Sequence, residues 1–454
     1  MKRWFLTLLI LSLVIIAGCN KQINLFTYYG EFCNEERTSF KDVAGLRVAP
    51  KEIKWRYTHP YSDEVYFYTL DAPTIVEDTV YMGADAALNL ESGKEKWRNF
   101  SQDSPFPFPF SGVVYRDKIF IVAGYPTQYL QAYDKDTGKL IWQSDCIGNP
   151  ETNTTSGCPL VVNGKVYLAA SNVKNYEEKM DAQPAIWVWD SNTGKVLDKI
   201  FVEPVAERFA GKYRTLFPVT TMLASDGKEI YGVTKLTNDA THRDYVFCYD
   251  TSIKKFTWFE PVEDFKEGYR EKIAIDKDII AISLVGDQWG GKEPQFFIKV
   301  YDKSAHKPLW SNITKTDREK EPVFMKSFFA LRNGKLYAMT MNKRFVCFDS
   351  KTGKEIWTFE DKDWQSSWWN NLNGYGNLFI ENDITATKDV VYFNVDKAIY
   401  ALDAETGKLL WRKTLKGYSF NNIMPIEKGL IVTYQDNHSR YDMPQQPAVT
   451  ELWK

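Results

Sequence analysis

The stretch Ala401-Leu402-Asp403-Ala404-Glu405-Thr406-Gly407-Lys408-Leu409-Leu410-Trp411 decides the fold. A short apolar strand runs into an Asp, a Thr-Gly turn follows, and the next strand carries a Trp. The Asp and Thr side chains are short enough to bond turn backbone, and Gly supplies the positive φ that such a turn needs. The same register returns at Ala87–Trp97, Ala132–Trp142, Val188–Asp198, Cys248–Trp258, Val300–Trp310 and Cys347–Trp357. Cys248 and Cys347 fall where the other copies carry Ala or Val, so they read as small buried core thiols. The Trp is large enough to fill the space between two neighbouring repeats.

Ahead of each copy lies a second constant piece, a tight turn followed by an apolar strand, as in Asn163-Gly164-Lys165-Val166-Tyr167 and Asn333-Gly334-Lys335-Leu336-Tyr337. Asn-Gly and Asp-Gly between apolar runs are strong hairpin signals. Each unit therefore reads as four strands, A to D, with the hairpin turn between A and B and the Thr-Gly turn between C and D. Four-stranded units at spacings near ~40 residues read as blades of a β-propeller.

The A–B hairpin recurs eight times, from Glu77-Asp78 to Glu427-Lys428-Gly429, whereas the C–D segment recurs seven times. The missing strand D lies at the other end: Lys51-Glu52-Ile53-Lys54-Trp55-Arg56 matches Gly407 to Arg412. The expectation is an all-β, eight-bladed propeller with seven blades as the alternative. An N-terminal strand closes the last blade, and Ala448–Trp453 supplies its strand C. Closure of this kind removes the exposed edges of a sheet array.

Composition agrees with this and narrows function. Of 454 residues, 15% are aromatic, which suits pleated surfaces, and the formal net charge is −2. A duplex nucleic-acid binder needs a basic field that this chain lacks, so no nucleic-acid partner is expected. Met1-Lys2-Arg3 is a short basic start, and Trp4 to Ile16 is an apolar run too short to span a bilayer. Ile16-Ala17-Gly18-Cys19 then has the form of a lipobox, with small residues before a thiol that takes up a diacylglyceryl group. An ordinary signal or an N-terminal membrane anchor is the other reading. The expected organisation is a lipoprotein signal peptide over 1–18, a tether over 19–45 and the propeller over 46–454. Acyl chains of the palmitate type on Cys19 would hold the mature chain on a bacterial envelope membrane. That means the periplasmic side of an outer membrane, or the cell surface where there is no outer membrane. Asn20 is not the Asp that keeps many enteric lipoproteins at the inner membrane.

The repeat resembles that of the quinoprotein-type, or PQQ-like, β-propeller family, over about residues 46–454. Together with the lipobox it resembles outer-membrane assembly lipoproteins of the BamB type, apart from the extra segment Asn20–Pro50 and longer loops. Quinone-dependent dehydrogenases of this family carry adjacent paired cysteines beside their cofactor, and this chain has no Cys-Cys. His59, His242, His306 and His438 lie in no metal or nucleophile motif, and no Gly-rich phosphate loop or Gly-x-Ser-x-Gly elbow is present. No catalytic residue, cofactor or metal is therefore expected, and Trp55, Trp97, Trp142, Trp258, Trp310, Trp357 and Trp411 are expected to dock blades.

The turns between A and B and between C and D are short, and insertions fall on the other two connections. In an up-and-down blade those two share one face, so one face is smooth and the other elaborated. Loops held by a rigid scaffold carry binding sites. Ser104-Pro-Phe106-Pro-Phe108-Pro-Phe110 is a proline-spaced aromatic strip. Trp364-Gln-Ser-Ser-Trp368-Trp369, with Tyr375 and with Trp289 in another loop, mixes rings and amides suited to protein or sugar surfaces. The alternative is that these loops plug the channel or cover blade edges. Cys146 and Cys158 bracket a polar loop and could pair in an exported chain. The function expected is a monomeric, non-catalytic envelope scaffold for other envelope proteins, possible outer-membrane assembly included. A ligand-binding or quinone-dependent propeller acting on PQQ or a saccharide is the alternative, with a Gram-positive surface sensing or adhesion lipoprotein as a third.

Overall fold

In the computed structural model the described residues are 27–29, 40–59, 73–99, 112–123, 129–145, 158–171, 184–202, 222–237, 242–262, 268–286, 295–315, 323–325, 329–340, 343–362, 378–380, 384–395, 398–414, 419–427, 429–435 and 449–454. They form eight antiparallel blades of four strands, one of them extended to five by Thr27–Tyr29, and a two-stranded parallel sheet of Val323–Met325 with Leu378–Ile380, and they contain no helix. Blade 1 spans Thr74–Arg98, blade 2 Val113–Gln143, blade 3 Leu160–Phe201 and blade 4 Leu223–Pro261. Blade 5 spans Gly268–Lys315, blade 6 Phe329–Phe359 and blade 7 Thr385–Thr414. Blade 8 takes strands A to C from Ser419–Ile426, Gly429–Gln435 and Val449–Trp453, and its strand D from Ile53–Thr58. The molecule is an eight-bladed β-propeller closed by its own N-terminal strand.

Strands A of neighbouring blades approach one another and form the inner ring. Strands B and C are buried on both faces, as in Val390–Val395 of blade 7, and read as continuous apolar runs for that reason. Strand D forms the outer edge and is mostly exposed, as in Glu95–Arg98 and Leu140–Gln143. Every strand D carries a register shift just before the Trp position. The bulge sets each Trp opposite one residue of strand C: Ala87 faces Trp97, Cys248 faces Trp258, Cys347 faces Trp357 and Ala401 faces Trp411. Most of these partners are small, with Val300 opposite Trp310 and Leu452 opposite Trp55 the larger ones. Cys248 and Cys347 are fully buried, and burial pushes both thiols up to about 12.

Two differences from the sequence reading are informative. In blades 4 and 5 much of what reads as insertion is strand. Glu229–Thr237 pairs with His242–Asp250, so the connection between strands B and C of blade 4 is mostly strand and His242 lies in it. Polar residues such as Lys235 and Arg243 extend a hairpin past the core without an apolar signal. The segment read as a tether also belongs partly to the propeller: Thr27–Tyr29 adds to strand A of blade 2, and Phe40 bridges Ala386 in strand A of blade 7.

Candidate functional site: the blade junctions and the N-terminal strap

Each C–D turn is built by the Asp or Asn at its start. Asp134 Oδ1 accepts from the backbone N–H groups of Asp136 and Thr137 and from the Thr137 hydroxyl, at 2.7 to 3.2 Å. Asp190, Asp349 and Asp403 repeat the arrangement, and Asn89 takes the same place in blade 1. These hydrogen bonds favour the ionised form, so the Asp134 carboxyl, held first by Thr137, lies below the usual range. The carboxylates are turn formers already engaged, and none is poised as a general acid.

The turn ends on a glycine with φ near +70°, at Gly93, Gly138, Gly194, Gly353 and Gly407. Each of these glycines lies flat against the Trp of the preceding blade. A Cβ at Gly407 would sit 2.5 Å from the Trp357 ring, and one at Gly138 would sit 2.6 Å from Trp97. The indole N–H then donates across the junction: Trp97 to the Lys135 carbonyl (2.8 Å), Trp310 to Ser350 (2.9 Å), Trp357 to Ala404 (3.3 Å) and Trp55 to Leu90 (2.8 Å). Trp142 does the same towards Ser191 at 3.3 Å. Trp55 of blade 8 docking on blade 1 completes the ring.

Three junctions depart. Between blades 3 and 4 the Trp position is Asp198 and the Gly position is Lys254, whose Nζ lies 3.5 Å from the Asp198 carboxylate. Between blades 4 and 5 Trp258 is kept but Gly becomes His306, at φ 55°. There the two rings stack at 4.7 Å and 6°, and the indole N–H turns to Glu260 (3.2 Å) within its own strand.

Between blades 7 and 8 no covalent C–D turn exists, because strands C and D of blade 8 come from opposite ends of the chain. Residues 40–46 replace it. The Lys41 N–H donates to the Ala386 carbonyl, and the Gly45 N–H donates to Asp389 Oδ1 (2.7 Å). The Leu46 N–H donates to the Tyr392 hydroxyl (2.5 Å), and the Leu46 carbonyl accepts from Trp411 Nε1 (2.7 Å). Any side chain at Gly45 would collide with Val390 and Thr387. Arg47 pairs with Asp403 at 2.7 Å. Burial alone would raise the Asp403 carboxyl, but Arg47 and Thr406 outweigh it and hold the group at about 2. Sequence reasoning located Trp55 but missed Gly45, Leu46 and Arg47, because their partners lie some 350 residues away with no local pattern to announce them.

Some of the buried polar groups pair with one another. In blade 8, His59 Nε2 meets Thr450 Oγ1 (3.0 Å), which meets Thr433 Oγ1 (3.2 Å), and Thr433 lies opposite Asn422. Burial lowers His59 to about 3, so this ring is neutral. The Glu451 carboxylate holds Arg56 Nε (2.5 Å) and Trp453 Nε1 (2.7 Å). Lys272 in strand A of blade 5 donates to the Phe329 carbonyl of blade 6 (2.7 Å). Such groups satisfy one another as buried polar atoms must. Among the described residues no cluster of three or more His, Cys, Asp or Glu could hold a metal ion. Phe106, Phe108, Phe110, Trp289, Trp364, Trp368, Trp369 and Tyr375 lie outside the described residues, as do Cys19, Cys33 and Cys146. Cys158 is half-buried against the core of blades 2 to 4.

With the geometry in hand, the comparisons define a class. Residues 82–198 match the family described as outer membrane protein assembly factor BamB, and residues 305–451 match the β-propeller domain of glucose/ethanol/alcohol dehydrogenases. Both are PQQ-repeat families, so these two stretches of the propeller carry PQQ-type repeats. Among solved structures, the quinohemoprotein alcohol dehydrogenase of Comamonas testosteroni is 12% identical with a TM-score of 0.63, covering 95% of this chain and 80% of its own. A europium-containing methanol dehydrogenase is 14% identical with a TM-score of 0.62, covering 96% of this chain and all of its own. BamB from Moraxella catarrhalis is 13% identical with a TM-score of 0.44, covering 82% and 92%. No curated protein matches the chain. At these identities the two dehydrogenases share the fold.

Proposed function

We propose that this chain is a non-catalytic scaffold of the bacterial envelope, anchored through Cys19 and binding other envelope proteins through its elaborated face. The observation that carries this reading is the use made of the inner ring. Backbone edges of strands A in blades 2 and 7, which a central ligand would approach, pair instead with Thr27–Tyr29 and Phe40 of the chain itself. The sequence match to the BamB family over residues 82–198 supports the same reading. The test is cross-linking in intact cells followed by mass spectrometry. One envelope protein should be captured by the native chain and lost when Trp364, Trp368 and Trp369 are replaced by Ser. Capture that is absent, or indifferent to these loops, would overturn the scaffold reading.

A second reading has its own support: residues 305–451 match a dehydrogenase propeller domain, and the two dehydrogenases named above have TM-scores above 0.6. Purified chain supplied with PQQ and Ca²⁺ should show no dye-linked alcohol oxidation. Turnover would replace the scaffold reading with the enzymatic one.

A further inference from the structure

We infer that the smooth face of the propeller, carrying the A–B and C–D turns, lies against an anionic lipid bilayer while the elaborated face points away from it. The inference rests on the Cys19 anchor proposed above and adds an orientation and a contact surface. Its first support is the direction of the N-terminal strand. Thr27 pairs with Tyr115 and Tyr29 with Val113. Tyr115 adjoins the A–B turn of blade 2, so the chain reaches the inner ring from the smooth side. It leaves on the same side, where Gly45 binds Asp389 in the A–B turn of blade 7. Cys19 precedes Thr27 by eight residues. At ~3.3–3.6 Å per residue that reach is at most about 29 Å. A lipid on Cys19 therefore holds the smooth mouth of the propeller near the membrane surface.

The second support is the chemistry of that face. In all seven covalent C–D turns the residue after the Gly position is Lys, from Lys94 to Lys408. All seven are exposed, and none forms an ion pair with a described residue. The acids beside them are taken: Glu91 by Lys54 and Lys454, Asp136 by Lys135, Glu355 by Arg344 and Glu405 by Lys335. The Asp of most of these turns is engaged by turn backbone. Asp134, Asp190, Asp302 and Asp349 stay ionised but turn towards the backbone of their own turns, while the seven lysines present exposed ammonium groups on the rim.

Apolar side chains stand beside these lysines. Leu140, Ile141, Val196, Leu197, Leu309 and Ile356 are between 37% and 51% exposed. All the large exposed apolar side chains among the described residues except Ile313 belong to the C–D turns, the first two residues of strands D, or residues 46–50. A lysine beside an exposed aliphatic, repeated around a rim, is the pairing by which peripheral proteins lie on anionic headgroups, and it orients a chain already held by its acyl anchor.

Acetylation footprinting of the full-length, lipid-bearing chain tests this. It would be reconstituted in phosphatidylcholine vesicles with or without about one-third phosphatidylglycerol. Lys139, Lys195, Lys307, Lys354 and Lys408 should react at least about 5-fold more slowly on the anionic vesicles than on the neutral ones, and about 0.5 M salt should restore their reactivity. Lys315, exposed at the elaborated end of blade 5, should be unchanged. The exposed-surface variant K139E/K195E/K354E/K408E should still float with the vesicles through its acyl chains, but its Lys307 should lose protection. Ring lysines that react as freely on anionic vesicles, or protection of Lys315 instead, would overturn the orientation while leaving the anchor standing. A chain that floats with neither vesicle would overturn the anchor reading and this inference with it.

Discussion

The junctions between blades 1, 2 and 3 and those around blades 3, 4 and 5 solve one packing problem in two ways. At the first, a Trp lies on a bare glycine and donates across to the next turn. The glycine is doubly required there, by its positive φ and by the indole against it. At the second, one partner has changed and the other has changed with it. Where Asp198 replaces Trp, Lys254 replaces Gly and an ion pair spans the gap. Where His306 replaces Gly, the retained Trp258 tilts out of its usual hydrogen bond and stacks on the imidazole. Trp and Gly thus form one unit shared by two blades, and neither position can be read from its own blade alone.

The largest effect belongs to the junction that has no covalent turn. Trp411 is almost fully buried and is the link between blade 7 and the strap that closes the ring. Trp411→Ala should cost about 3–5 kcal/mol, measured by denaturant unfolding with a two-state fit confirmed by a second probe. A cost no larger than that of Trp142→Ala, which is more exposed, would show that the strap contributes nothing special.

Next comes the coupling itself. Gly407→Ala places a methyl against Trp357 and costs about 1–3 kcal/mol. In a Trp357→Ala background the same change should cost only the smaller φ penalty. A double-mutant cycle over these two residues should therefore give a coupling of at least about 1 kcal/mol. Strict additivity would mean the ring and the glycine are not one unit.

Much of this was legible. The Asp, Thr-Gly and Trp of each turn act locally, within eleven residues, so the sequence displayed blade count, the closing strand at Trp55 and the burial of Cys248 and Cys347. The departures at Asp198, Lys254 and His306 were visible as letters, but their compensation was not, since each partner stands in the next blade some fifty residues on. The strap was hidden more deeply. Gly45 and Leu46 bind through backbone groups and one missing Cβ, and Phe40 is a lone buried ring, so none leaves a periodic trace. The aromatic loops expected to bind partners lie outside the described residues, so the binding face rests on sequence and the smooth face on geometry.

A smaller effect separates the stacked junction by pH. Burial lowers the His306 pKa below its usual value. The unfolded chain then binds a proton that the folded chain resists, so stability falls as pH drops below about 6.5. His306→Gly restores the glycine of the regular junction and removes that group. Its stability should lie within about 1 kcal/mol of the native chain at pH 8, with a shallower decline between pH 7 and 5 as followed by thermal melts. Parallel pH profiles would show that the stack does not sense protonation.

The smallest effect tests whether the ion pair truly substitutes for the indole. Lys254 is 67% exposed and Asp198 is 40% exposed. Exposed pairs of this kind contribute about 0–0.5 kcal/mol, far below a buried Trp. Asp198→Ala and Lys254→Ala should each shift the unfolding midpoint by that little, and the shift should vanish in high salt. The double replacement Asp198→Trp with Lys254→Gly rebuilds the regular unit and should be more stable than either single change, because only together do they provide ring and bare backbone. If Asp198→Trp alone stabilises as much as the pair, Lys254 does not obstruct the indole, and the dependence of Trp on its glycine holds only at junctions where the turn is already pressed against the neighbouring blade.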